Sequence, residues 1–436
     1  MVALYPVFRS PHPMSTSTSS VRPSAAVPTP DAAAATTRPS KVDGTRHRLV
    51  ALDGLRFLAA LMVVFYHYIG QGTFAWQHNS AQLFPTLHLP ASYGFFGVEL
   101  FFLISGFVIC MSSWNRTLGE FFVSRAVRLY PAYWLAVIAS SVILALWPVI
   151  AKPLAPGQIM VNLTMFHTAM GVANVDQVYW TLWVEMRFYL LFALVVWRGV
   201  NYRRVVMFCV LWTVGSLITA SSHEPTLEVI FQPEYSPYFI AGVVMYLMYR
   251  FRATMLLWAI LAVCWLFAQD RIIARLHETD TYVGRHLHWW PASLLITVFF
   301  LLVLAVARGW LSWVRGAWIT VLGTMTYPLY LLHEVAGWTV IRLLHTRVPT
   351  RTLLIGTILA MMLLAWLVHV LVERPLAPVL KRGLLRGLAE VRAEAMRRPG
   401  VAAAVEKAGA GGDVSTEQVR PEPRPDARAQ PRPIGQ

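Results

Sequence analysis

Ten apolar stretches recur along this chain, at about 49–70, 92–112, 129–150, 179–197, 204–221, 236–249, 253–268, 290–307, 318–341 and 352–372. Hydrocarbon offers the backbone no hydrogen-bond partner, so a spanning chain must satisfy its amides internally. Most of these stretches approach the ~20 residues that a helix needs to cross ~30 Å of hydrocarbon, with 236–249 and 253–268 short. The expected fold is therefore an all-α integral membrane protein, a polytopic bundle of about ten transmembrane helices. Composition agrees: 56% of residues are hydrophobic and 14% charged, against about 25% charged in a soluble domain.

The connections orient the bundle. Loops 71–91 and 222–235 contain no Lys or Arg, and 151–178 holds only Lys152. The alternate connections carry Arg116, Arg125 and Arg128, then Arg198, Arg203 and Arg204, then Arg250 and Arg252, then Arg308 and Arg315. The positive-inside rule places these on the cytoplasmic side, together with both termini. The bias weakens in the expected outer loops 269–289 and 342–351, which hold three Arg each. Residues 1–45, rich in Ser, Thr, Pro and Ala, read as a disordered cytoplasmic tail. A membrane domain follows over 46–380. The basic segment 381–436 reads as a largely disordered cytoplasmic tail that opens with a short interfacial helix. The segment 159–171 is too short and polar for a clear span and fits a re-entrant piece.

The net charge of +15 would suggest nucleic acid in a soluble protein. Here the basic residues flank apolar spans, so membrane lipids are the expected partner and no nucleic acid is. Cys110, Cys209 and Cys264 all lie inside spans. Their spacing makes no metal site or disulfide framework, and no metal is expected.

The first span departs from a plain lipid-facing helix. It carries Asp53 and Arg56 near its start and His67 near its end. Arg56 and His67 stand eleven positions apart, which is about 1100° of rotation and ~16.5 Å of rise, so they share one helix face. Ionisable groups in hydrocarbon cost several kcal/mol unless shielded, and such a stripe points to a channel inside the bundle. A neutral imidazole there can accept a proton from an alcohol.

Six segments in order resemble the membrane acyltransferase-3 family. LDGLRFLAALMVVFYHY (52–68) matches its Arg or Lys, ten residues, then His through Arg56 and His67. FFGVELFFLISGFVI (95–109) is similar to its second-helix motif, with Glu99 where Asp is frequent and Ser105 intact. SRAVRLYPAYW (124–134) carries the R-x-x-R element in Arg125 and Arg128. YWTLWVEMRFYLLFAL (179–194) matches W-[ST]-L-x-x-E-x-x-F-Y through Trp180, Glu185, Phe188 and Tyr189. MTYPLYLLHE (325–334) resembles Y-x-L-Y-L-x-H, and VERPL (372–376) the closing E-x-P.

The resemblance implies an enzyme that moves an acyl group, commonly acetyl, from acyl-coenzyme A to a hydroxyl of a cell-surface sugar, lipid or metabolite. It implies a plasma-membrane, bacterial location and no permanently bound cofactor. His67 is the expected general base, with Glu185 and His333 beside it in catalysis. Arg56, Arg125 and Arg128 are expected to hold the phosphates of acyl-CoA, a task suited to guanidinium forks. Asp53, Glu99, Ser105, Trp180, Tyr189 and Glu334 are expected to brace or line the channel. Buried carboxylates need partners. Glu185 has two open choices, orienting His67 or pairing with Arg187. Ser105 is expected to bond its own helix backbone rather than act as a nucleophile, since no G-x-S-x-G elbow surrounds it. Glu373 reads as a helix-end anchor. A secondary transporter that uses the charged stripe as a substrate or proton path is the alternative, although no inverted repeat is visible.

Overall fold

The computed structural model describes residues 49–222 and 224–397, and contains helices but no strand among the described residues. Helix α1 (Val50–Phe65) runs into a π-helical turn, Tyr66–Gly70. Helices α2 (Gly97–Ser113), α3 (Leu118–Leu146), α4 (Trp180–Trp197) and α5 (Tyr202–Ser222) follow. Then come α6 (Ser236–Arg250), α7 (Met255–Val283), α8 (Trp289–Ala307) and α9 (Ala317–Leu344). Helix α10 (Thr350–Val368) passes through a second π-helical turn, His369–Glu373, into α11 (Arg374–Arg397). The tail expected at 1–45 lies outside the described residues, as does 398–436 of the tail expected at 381–436, whose first part, 381–397, is the end of α11.

Among the described residues, eight helical runs are long and apolar enough to cross a membrane, against the ten spans expected. The expected spans at 236–249 and 318–341 are helices but fall short of that measure. Helix α6 has 15 residues, about 22 Å of rise against ~30 Å of hydrocarbon. Helix α9 is 28 residues long, but Thr, Tyr and Gly residues, with His333 and Glu334, dilute its apolar character. Both are interior helices. Every residue from Ser236 to Met248 is buried, and so is nearly all of α9 from Met325 to Thr339.

Small residues admit α6 to the centre. A Cβ on Gly242 would meet the Leu103 carbonyl of α2, and one on Gly106 the Phe239 carbonyl of α6. The two backbones therefore touch, a packing mode that membrane helices use where lipid provides no hydrophobic drive. Beyond this crossing, Phe188 of α4 stacks on Phe239 at 4.5 Å and on Trp212 of α5 at 5.6 Å. Cys110, Cys209 and Cys264 are buried free thiols.

Two connections differ from expectation. The supposed outer loop 269–289 is helical as far as Val283, because α7 continues for 29 residues. Its polar second half is amphipathic, and Arg275 turns inward to Glu99, which explains an arginine where the charge bias predicts none. The segment 159–171 neither spans nor forms a long re-entrant helix. It is a short helix, Pro156–Asn162, followed by turns. Three side chains of α3 hold it down: Tyr130, Tyr133 and Trp134 donate to the carbonyls of Thr164, Asn162 and Leu163 at 2.9, 2.7 and 3.0 Å.

Gly242→Ala should cost about 1–3 kcal/mol, because a methyl driven into a backbone carbonyl cannot be relieved by a rotamer change. Gly356→Ala on α10, where a Cβ meets nothing within 4 Å, serves as the control. Melting of the detergent-solubilised protein should fall for the first variant and hold for the second.

Candidate active site

Helix α1 places its ionisable groups in two compartments joined by α9. The lower one is a cavity of about 360 Å³ bounded by α1, α2, α3, α4 and α9, within the range of small-ligand sites. Arg56, Arg125 and Arg128 all line it, facing one carboxylate, Glu185. Arg125 and Arg128 share a face because they stand three residues apart on α3. Arg125 donates to Ser124 Oγ at 2.7 Å and reaches Ser112 Oγ at 3.4 Å. Arg128 lies 5.9 Å from the ring centre of Tyr327. Arg56 feels the opposite charges of Asp53 and Glu185 and the like charge of Arg128. Asp53 is itself buried, seated where a Cβ on Gly323 of α9 would overlap its carboxyl.

Glu185 takes neither of its two expected roles. It accepts a short hydrogen bond from Ser105 Oγ, and Tyr189 joins the pair. Arg187 instead donates to the Val229 carbonyl at 3.2 Å and lies over Trp183. Ser105 accordingly spends its hydroxyl on Glu185 and not on its own helix backbone. The cause is the α2–α4 approach, which sets a hydroxyl opposite a carboxylate that has to be satisfied.

The upper compartment centres on His67 in the π-helical turn. Such turns displace a side chain from the regular helical stripe and recur at functional sites. His67 Nδ1 lies 2.9 Å from the Val63 carbonyl and 3.1 Å from His333 Nε2. His333 Nδ1 lies 2.8 Å from the Tyr330 carbonyl. A carbonyl only accepts, so His333 carries its proton on Nδ1 and leaves Nε2 bare. His67 Nδ1–H then serves both the Val63 carbonyl and His333 Nε2, and His67 Nε2 is left with a free lone pair. This network assigns the tautomers, and the partner of one nitrogen sets the state of the other. Glu334 Oε2 stands 3.9 Å from that Nε2. His333 thus takes the orienting position that Glu185 was expected to hold.

The surroundings of His67 are tightly braced. Tyr68 OH donates to the His333 carbonyl at 2.7 Å, and Trp338 Nε1 donates to the His67 carbonyl at 2.9 Å. Between the compartments stand Tyr330 and Thr181, which line the cavity and hydrogen-bond each other at 2.8 Å. Tyr330 also packs against the His333 ring, with centres 5.8 Å apart.

Two expected channel residues lie elsewhere. Glu99, 1% exposed, pairs with Arg275 Nε at 3.4 Å. Trp180 packs beside that pair, 5.8 Å from the Arg275 guanidinium and 5.5 Å from Tyr235. Glu373 lies in the second π-helical turn, 2.7 Å from His369 Nδ1. No group of three or more His, Cys, Asp and Glu fit to hold a metal occurs among the described residues.

Comparison with known proteins places this geometry. A model of the acyltransferase-3 family, described as an acyltransferase domain, matches residues 49–370. The chain belongs to the acyltransferase-3 family. It is 31% identical over 157 residues to "Acyltransferase MdmB" of Streptomyces mycarofaciens, covering 34% of this chain and 39% of that protein. It is 31% identical over 121 residues to "Exopolysaccharide production protein ExoZ" of Rhizobium meliloti (strain 1021), covering 26% of this chain and 37% of that one. The match thus spans less than two-fifths of either curated relative. No solved structure matches.

Sequence reasoning missed Asp176, Thr181, Tyr330 and Tyr68. Tyr330 and Thr181 sit inside quoted motifs, but neither has a charge to draw notice. Asp176, 1% exposed, was signalled only by an acid at the mouth of an apolar span.

Gly337→Ala tests the bracing. A Cβ there would fall within 2.8 Å of Tyr68 Cε1 and closer still to its hydroxyl, and Tyr68 is fully buried. The substitution should cost about 1–3 kcal/mol through overpacking, even though Ala is the better helix former. A melting temperature at or above wild type would refute the wedge.

Proposed function

We propose that this protein is an integral-membrane O-acyltransferase that moves an acyl group, most simply acetyl, from acyl-CoA to a hydroxyl of a carbohydrate, glycolipid or glycosylated metabolite. The observation that carries this reading is the pairing of a tri-arginine cavity with an imidazole whose Nε2 lone pair is free, reached along α1 from Arg56 to the π-helical turn that follows it. Arg56, Arg125 and Arg128 suit a polyanionic donor, and acyl-CoA presents phosphates at one end of a long thin arm. The thioester then lies at the head of the cavity, near Tyr330 and Thr181.

His67 Nε2 takes the proton of the acceptor hydroxyl as its oxygen attacks the thioester carbonyl. The carbon–sulfur bond breaks, and the departing thiolate receives the proton from His67. The positive-inside pattern puts Arg56 toward the cytoplasm, where acyl-CoA is made, and His67 toward the outer half of the membrane. The name of the Rhizobium relative, an exopolysaccharide production protein, supports a carbohydrate acceptor. The acyltransferase-domain match over residues 49–370 weighs against the transporter reading, which uses the same stripe.

His67→Ala should abolish acetyl transfer from labelled acetyl-CoA while membrane abundance stays normal; retained turnover would end the assignment. His333→Ala should lower turnover about 10- to 100-fold, the usual effect of losing a group that orients a functional side chain. Arg125→Gln and Arg128→Gln should each raise KM for acetyl-CoA about tenfold, the equivalent of ~1.4 kcal/mol per lost charged contact, with kcat less affected.

A further inference from the structure

We propose that Asp176 and Glu334 act as one proton-sharing carboxyl pair that keeps a single negative charge beside His67, which makes Asp176 a positioning residue for acyl transfer. This rests on the reading of His67 as base. Asp176 precedes the turn Gln177–Tyr179 that opens α4, and its Oδ1 accepts from Val178 N at 3.3 Å. Its Oδ2 accepts from Val335 N at 3.2 Å, across to α9. Glu334 Oε2 accepts from the same Val178 amide at 3.1 Å. Because both carboxyls accept from the one Val178 amide they lie against each other, and among the described residues no Lys or Arg forms an ion pair with either. They are 1% and 4% exposed.

Two carboxylates in contact away from water and without a cation cannot both stay ionised, so the pair holds one proton and one charge. The Glu334 oxygen of the pair is 3.9 Å from His67 Nε2, and Asp176 stands directly behind it. The titratable groups facing His67 are Tyr66 of its own turn and His333 and Glu334 of α9, with Asp176 behind Glu334. When His67 takes the acceptor proton, the imidazolium meets a counter-charge already in place, with no reorganisation to perform. Asp176 touches no reacting atom. It acts by anchoring Glu334 through two backbone amides and by sharing its proton.

The test uses membranes containing the full chain, with acetyl-labelled acetyl-CoA as the probe. Label carried into the envelope lipid and glycan fractions of the same cells is followed for wild type, Asp176→Asn, Glu334→Gln and the double variant. Asp176→Asn should lower kcat about tenfold or more, with KM for acetyl-CoA and membrane abundance unchanged. Because the pair acts as a unit, the double variant should be no worse than the poorer single one, within about threefold. Wild-type kcat in Asp176→Asn, losses that multiply in the double variant, or abundance falling in step with activity would each overturn the proposal. Wild-type membranes that transfer no label would overturn the acyltransferase reading itself, and this proposal with it.

Discussion

A helix that carries Asp53, Arg56 and His67 through hydrocarbon is tolerable only where a neighbouring element takes up each group, and α9 takes up most of them. Gly323 makes room for the Asp53 carboxyl, Gly337 makes room for Tyr68, and His333 and Glu334 meet His67. An unpaired ionised group in that environment costs several kcal/mol. The α1–α9 seam is thus both the polar core of the bundle and the frame of the site. Its two missing side chains matter as much as its charged ones.

The seam also separates two electrostatic environments along one helix. Around Arg56 the lining is basic and hydroxyl-rich, with Glu185 held by Ser105. Around His67 the charged partners are acidic and the rest is aromatic, with Trp338 and Tyr66 against the imidazole. A polyanion is favoured in the first environment and a transient imidazolium in the second. Tyr330 and Thr181 stand at the boundary, where a reacting carbonyl would have to lie to be seen by both. Glu99, Arg275 and Trp180 form a third cluster, an ion pair in an aromatic cage joined to His67 through Phe95 and Tyr66.

Much of the site was legible before any tertiary contact was known. The Arg56–His67 spacing survives into the structure as a polar stripe, although the π-helical turn displaces His67 from ideal periodicity. Arg125 and Arg128 fall in the cavity because residues three apart share a helix face. The partners of Glu185, Ser105 and Glu99 were not legible, since each lies 80 or more residues away in sequence. Each of the ten expected stretches is helical, and eight helical runs among the described residues have the length and hydropathy of a membrane span. Hydropathy recognises apolar length, whereas α6 is short because backbone contact with α2 shields it, and α9 is polar because α1 satisfies it.

The sequence by itself determined that the chain is a helical membrane protein, roughly where its long helices lie, and which of its residues match the motifs of the acyltransferase-3 family. Those properties follow from local quantities: apolar length, helical period and the cost of charge in lipid. Only the tertiary structure decided that His333 rather than Glu185 orients His67, that Arg275 belongs to Glu99, and that Asp176 stands behind Glu334. Helical spacing says which way a side chain points along its own axis. It says nothing of the distant helix that comes to meet it, and in a low-dielectric interior that meeting governs what a buried polar group can do.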